Sequence, residues 1–292
     1  QAEAVRAGLP PSMRRAVMVE PQIKNTAACI TLAAAALAVR DPRRVMVVAP
    51  ADHWMSPADA FQQAARAAIR AAVAQDTIAM IGIRPTSPHP GLGYLFAGAP
   101  VAGFKNPRVF RLARFIEKPS RGEAHRWLKQ PRAYWNSGLF IGSADTFLEC
   151  VTEWLPDHTR RLVPLALRWT HPGFTRLARA AYRGLTPVSF DHGVMDHLQG
   201  GVVVEGRFSW ADLGSWEAWA SLGRTSSRTI AVDSKRVTVV GQDGHLVAAV
   251  GVRDLLVVQT PSATLICRSD KTQQVREVVR RVFADPRLAA YR

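Results

Sequence analysis

The chain has 292 residues, 48% apolar and 21% charged, which excludes a disordered or fibrous polypeptide and allows one large or two modest domains. Its formal net charge of +15 comes from 38 basic residues, only six of them lysine, scattered with no run of five or six. That excludes a clustered nucleic-acid patch but leaves a field that attracts nucleotide and sugar phosphates.

Along the chain, Ala16–Val19 reads as a short apolar strand ending at Glu20–Pro21. Asn25–Thr26 can cap a helix from Ala27 to about Arg40. Val45–Ala49 reads as a buried strand, with Pro50–Ala51–Asp52–His53 leaving its carboxyl end. A helix is expected over Ala58–Gln75 and a strand over Thr77–Ile83. This alternation predicts an α/β domain with a largely parallel sheet, whose ligands sit beyond the carboxyl ends of the strands. Glu20 and Asp52 occupy such positions. Pro85–Tyr94 is a Pro- and Gly-rich loop, Val109–Glu117 a strand and Glu123–Lys129 a short helix. Ser143–Arg183 is helical, broken at Pro156, Pro164 and Pro172. From about Thr229 short β-branched runs alternate with turns (Arg236–Val240, Leu246–Val250, Leu255–Gln259, Thr264–Cys267), closed by a helix over Lys271–Phe283. The boundary is expected near Gly223–Arg228, giving domains over 1–225 and 226–292.

The cysteines Cys29, Cys150 and Cys267 are far apart, odd in number and without CxxC spacing, as expected of reduced thiols in a cytoplasmic protein. The longest apolar run, Ala27–Val39, is too short to span a bilayer, and no signal-peptide core precedes it. No membrane partner is expected. The sequence opens at Gln1 rather than methionine and reads as a fragment. A homo-oligomer is compatible with it.

Three stretches set polar residues in apolar, glycine-containing frames: Arg114–Pro119 (RFIEKP), Trp135–Phe140 (WNSGLF) and Phe208–Trp216 (FSWADLGSW). Together they offer a carboxylate–lysine pair, a side-chain amide and a second carboxylate, an inventory suited to a hydroxylated sugar, a phosphate and a divalent metal. With Glu20–Pro21, Asn25–Thr26–Ala27, Pro50–His53, Gly82–Thr86 and Phe190–Asp196 added, these motifs resemble, in order, those of the sugar-1-phosphate nucleotidyltransferases, specifically the mannose-1-phosphate guanylyltransferases. The resemblance implies a Rossmann-like, glycosyltransferase-A-like sheet with helices on both faces, and a small C-terminal β-rich unit. It implies transfer of GMP from GTP to mannose 1-phosphate, giving GDP-mannose and pyrophosphate with Mg2+ as cofactor.

On the resemblance, Asp52 and Asp212 would bind the metal, since magnesium takes oxygen ligands and bridges carboxylates to phosphates. Lys118 would stand by the sugar phosphate, and Glu117 would accept hydrogen bonds from sugar hydroxyls. Asn136 could both donate to and accept from a hydroxyl. Gly91 and Gly93 would let backbone approach the sugar, and Asp191 would help orient it. Glu20 could accept from guanine N1–H and the 2-amino group together, with Asn25 supporting the base. His192 and His197, five residues apart, do not share a helical face, so zinc is not expected. Trp210, Trp216 and Trp219 read as core.

The family's Gly-rich phosphate loop, with its Arg and Lys-Pro pair, is not found in these residues. Pro90 and Leu92 replace its usual Thr and Tyr, and Asp196 its usual Glu. Residues 1–292 alone are therefore expected to turn over slowly or not at all. A non-catalytic sugar-nucleotide-binding or regulatory protein, and a nucleotidyltransferase for another sugar 1-phosphate, are the alternatives.

Overall fold

The computed structural model describes residues 2–213, 228–241 and 245–291. Gly214–Trp216, Trp219 and the expected boundary before Arg228 lie outside them. In chain order the elements are α1 (Ala2–Gly8), α2 (Thr26–Ala38), β1 (Val45–Val48), β2 (His53–Ser56), α3 (Ala58–Gln75), β3 (Ala79–Ile83), β4 (Tyr94–Lys105), β5 (Arg108–Ile116), α4 (Arg121–Leu128) and β6 (Ala133–Ser143). There follow α5 (Ala144–Trp154), α6 (Pro156–Leu162), α7 (Phe174–Arg183), β7 (Val202–Gly206), β8 (Ser209–Asp212), β9 (Arg228–Val232), β10 (Lys235–Val240), β11 (Leu246–Val250), β12 (Arg253–Gln259), β13 (Thr264–Arg268) and α8 (Val275–Ala284). They form two compact units, Gln1–Pro50 with Ser56–Ser209, and Ala51–Met55 with Trp210–Arg292.

The first unit is built on a six-stranded sheet of order β1-β6-β3-β7-β5-β4, with β4 also pairing β6. Only β3–β7 is parallel; the other pairs are antiparallel. The sheet is therefore mixed, not largely parallel as the alternation suggested. Three further expectations change. Residues 17–20 form no strand: the chain makes a 3-10 turn at Arg14–Ala16 and continues irregularly, so Glu20 follows no strand end. β1 is an edge strand with Val47 44% exposed, rather than a buried one. The closing helix is also shorter than expected, since Ser269–Gln274 winds as a 3-10 segment before α8.

Every residue of β3 is buried. On α3, Ala64, Ala67, Ala68, Ala71 and Ala72 recur at helical spacing and are buried, and these small side chains let the helix lie close on β3, β6 and β7. Met80 joins Ile30 and Ala34 of α2, Phe147 and Val151 of α5, and Phe190 in one core cluster. Helices thus cover both faces. Each large apolar side chain removed from water contributes about 1.5–3 kcal/mol.

One irregularity positions the site. Between the pairs Met80↔Phe140 and Gly82↔Asn136, β6 carries two more residues than β3. The bulge falls at Ser137–Gly138, where Gly138 has φ +68°. The Ser137 hydroxyl donates to the Ile81 carbonyl at 2.6 Å, satisfying an acceptor in this interrupted stretch of ladder.

In the second unit β2 pairs with β8. β9–β11 and β10–β12 are parallel pairs, and β12–β13 is antiparallel. The strands expected at Arg236–Val240, Leu246–Val250, Leu255–Gln259 and Thr264–Cys267 are all present within a residue or two, with β9 added.

Candidate active site

Five of the residues singled out in the sequence meet in the first unit. Glu117 follows β5, and its carboxylate lies where a side chain on Gly93 would go: a Cβ there would meet Oε2 at 2.5 Å. Gly93 accepts a hydrogen bond from Asn136 N at 2.8 Å through its carbonyl. Asn136 Nδ2 donates to Asp191 Oδ1 at 2.8 Å, and Asn136 Oδ1 accepts from Gly138 N at 3.0 Å. The Asn136 amide, expected to meet a hydroxyl with both ends, is thus largely engaged inside the protein, and it holds Asp191. Lys118 Nζ stands 3.4 Å from Glu117 Oε1, with its side chain 61% exposed. Its φ of +48° is unusual for a lysine, and more so before Pro119. That backbone cost is tolerated where the surroundings fix it: β5 ends on one side, and Ser120 starts α4 with a reciprocal Ser120–Glu123 capping box on the other.

The electrostatics are those of two carboxylates kept from water. Burial, then the neighbouring Asp191 charge, pushes the Glu117 carboxyl above its ordinary value, against the pull of Lys118. Burial likewise raises Asp191, against its backbone hydrogen bond and the one from Asn136. His192 shares a 3.0 Å hydrogen bond with Asp196 one turn on, and His197 stacks on Trp154. Gly91 sits against the His89 ring rather than beside Glu117. The hydroxyl of Tyr94, a fully buried residue, accepts from His89 N at 3.2 Å and from Trp135 Nε1 at 3.1 Å, pinning the loop that carries both glycines. Sequence reasoning missed this clamp. No local signal marked it, because Tyr94 was read as the end of a loop and an aromatic with a polar tip reads as core.

Glu20 lies elsewhere in the unit, half-buried, with Oε1 accepting from the Tyr182 hydroxyl at 2.9 Å. Burial raises its carboxyl while that hydrogen bond lowers it. Asn25 caps α2, accepting from Thr26 N at 2.9 Å, so its side chain is engaged in the helix start.

The second unit holds its own group. Asp52, just before β2, and Asp212, ending β8, join His53 with ligand atoms within 4.8 Å of one another. Leu213 N donates to the Asp52 carbonyl at 3.0 Å, tying the two segments. Trp210 is not a core residue: it is half-buried, and its Nε1–H donates to His53 Nδ1 at 3.2 Å. An indole N–H only donates, so His53 Nδ1 is the acceptor and the neutral ring carries its proton on Nε2. What the group offers a metal is therefore carboxylate oxygen, a donor type that fits magnesium. No helix among the described residues is long and apolar enough to cross a membrane.

A family model described as Nucleotidyl transferase matches residues 3–227, and one described as MannoseP isomerase/GMP-like beta-helix domain matches residues 227–282. The chain is 34% identical over 281 residues to the mannose-1-phosphate guanylyltransferase of Escherichia coli strain K12, covering 93% of this chain and 58% of that protein. It is 29% identical over 280 residues to the alginate biosynthesis protein AlgA of Pseudomonas aeruginosa, covering 94% and 58%. The chain thus spans 58% of the length of each of these relatives. A crystal structure described as mannose-1-phosphate geranyltransferase from Thermus thermophilus superimposes with a TM-score of 0.77 at 29% identity, over 91% of this chain and 77% of that one.

Proposed function

The chain belongs to the nucleotidyl transferase family, and from that premise we propose that it transfers GMP from GTP to mannose 1-phosphate. A sugar phosphate oxygen attacks the α-phosphorus in line. The bond from that phosphorus to the β-phosphate bridging oxygen breaks, and GDP-mannose and pyrophosphate form. The catalytic domain is taken as residues 1–225 and the β-rich domain as 226–292.

The observation that carries this reading is the Glu117–Asp191 pair with Lys118 beside it. Two water-poor carboxylates suit an array of sugar hydroxyls, and an exposed ammonium on a strained backbone suits the phosphate that the same sugar carries. Asp52 and Asp212 would hold Mg2+, which when bound neutralises phosphate charge. Glu20 would read the guanine. Lys118 neutralises the incoming phosphate, Glu117 and Asp191 orient the sugar, and no covalent intermediate is required.

The test is pyrophosphate release from GTP and mannose 1-phosphate with magnesium, by residues 1–292 and by a chain preceded by a Gly-rich phosphate loop. The extended chain should turn over much faster, since losing even one well-placed donor costs about 10²–10³ in rate. In it, Lys118→Ala should abolish most turnover. Glu117→Gln should mainly raise the KM for the sugar phosphate, by about one charge-assisted contact, ~1.5–3 kcal/mol. Normal turnover by Lys118→Ala would reject the assignment. Binding of GDP-mannose without turnover by either chain would favour the non-catalytic alternative, and preference for another sugar 1-phosphate would correct the substrate.

A further inference from the structure

Residues 17–25 form no helix or strand, so nothing in a backbone ladder fixes Glu20. The stretch is held instead by a distant part of the chain. Tyr182 donates its hydroxyl to Glu20 Oε1 at 2.9 Å, and Lys24 Nζ donates to the Leu185 carbonyl at 2.7 Å. Ala27 N donates to the Val188 carbonyl at 3.2 Å, and Phe190 N donates to Thr26 Oγ1 at 2.8 Å. Residues 182–190 thus run alongside 20–27 as a strap, ending one residue before Asp191.

Within the strap, Tyr182 is the tie that touches a chemically active group. Its ring is fully buried among Ala28, Leu32, Leu162 and Ala178, and only its hydroxyl reaches toward Glu20. A buried phenol could be satisfied by a backbone carbonyl, yet this one crosses 162 residues of sequence to an ionisable carboxylate. It occupies one lone pair of one oxygen. A carboxylate has about four such acceptor sites, so both oxygens keep capacity for further donors. A single hydrogen bond to Oε1 also fixes rotation of the carboxylate plane, which is otherwise broad about a terminal sp³–sp² torsion.

We propose that Tyr182 is the positioning residue of the base subsite, holding the Glu20 carboxylate in the orientation that receives the N1–H and 2-amino donors of a guanine. This rests on the reading of Glu20 as the guanine acceptor. The phenol touches no substrate. It acts through Glu20, by keeping two oxygens in one plane for two donors that also share a plane. A base with only the N1–H, such as hypoxanthine, needs one oxygen and tolerates a turned carboxylate.

The experiment measures dissociation constants of GTP and ITP, with magnesium, by titration calorimetry on the unaltered protein, Glu20→Gln and Tyr182→Phe. Tyr182→Phe keeps the ring in the core, and its thermal midpoint and near-ultraviolet circular dichroism report that the fold is retained. The expected result is a GTP-over-ITP preference that Glu20→Gln abolishes and Tyr182→Phe reduces on the order of tenfold, the scale of one hydrogen bond to a charged group. Affinity for ITP should change little. Equal weakening of GTP and ITP by Tyr182→Phe would show a merely structural tyrosine and overturn the proposal while leaving Glu20 as the reader. A preference that survives Glu20→Gln, or none in the unaltered protein, would overturn the reading of Glu20 and the proposal with it.

Discussion

At Gly93 the missing side chain is what makes room for the Glu117 carboxylate. A Cβ there would lie 2.5 Å from Glu117 Oε2, and its next contacts, Asn136 Cβ at 3.3 Å and Phe115 Cζ at 3.4 Å, are tolerable. The clashing atom is the end of a flexible side chain, so Gly93→Ala should cost little stability, under about 1 kcal/mol. It should displace the Glu117 carboxylate and raise the KM for sugar phosphate about tenfold or more, one contact's worth. An unchanged KM, or collapse of the fold, would show that the space at Gly93 serves something else. Asp191 gives a pH signature. Its carboxyl is raised by burial above the ordinary 3.8. The folded protein therefore holds that proton more readily than the unfolded chain, and the stability contribution, full below 3.8, is lost as pH rises through the folded value. Asp191→Asn removes that loss and keeps an oxygen for Asn136. Its thermal midpoint should exceed that of the unaltered protein near neutral pH, with the gap closing toward about pH 4. A gap independent of pH would reject buried ionisation as the cause. Glu117 and Asn136 were singled out because a polar residue in an apolar frame needs a reason, and Asp191 through the resemblance alone. Tyr94, Trp135 and Tyr182 were not, since in sequence an aromatic with a polar tip is indistinguishable from core.

Among the elements, β3 and β6 pack closely at Gly82. A Cβ on Gly82 would meet Tyr134 Cβ at 2.8 Å and Val203 Cγ1 at 3.0 Å, in a strand buried on both faces. Neither neighbour is a free side-chain end, so Gly82→Ala should destabilise the first unit by about 1–3 kcal/mol, the usual cost of overpacking. Denaturant titration at constant m-value would measure it, and a change within ~0.5 kcal/mol would mean the two strands separate more easily than their spacing implies. α3 was legible to the residue from its richness in alanine, and the C-terminal strands from their β-branched runs. β4, β6 and β7 were not anticipated. β4 carries Gly98, Pro100 and Gly103, and β6 carries the polar Asn136–Ser137–Gly138 bulge, and both interrupt the alternation that marks a strand. Strand direction was misjudged for a deeper reason: local periodicity tells which face a residue takes, not which neighbour its strand will pair with.

For the whole molecule, charge is the property no single element holds. A net +15 spread over arginines scattered along the sequence creates a long-range field. Affinity for GTP should therefore fall as salt rises from roughly 0.01 to 0.15 M, where the screening length drops from about 30 to about 8 Å. Calorimetry at several salt concentrations would show it, and a flat response would confine recognition to direct contacts. The pairing of Asp52 with Asp212 was legible only through the order of motifs, because 160 residues separate them and no spacing rule spans that distance. The strap along residues 20–27 carries the same separation into time. As the chain is made from its amino end, Glu20 leaves the ribosome 162 residues before Tyr182. At about 5–20 residues per second, that is roughly ten to thirty seconds. Throughout that interval the Glu20 carboxylate has no phenol to hold it, and Ala27 N has no Val188 carbonyl to bond. If Glu20 reads the base as proposed, a carboxylate that waits for its phenol gives the nascent chain no oriented acceptor, and nucleotide reading would begin only when the strap has been synthesised and laid down.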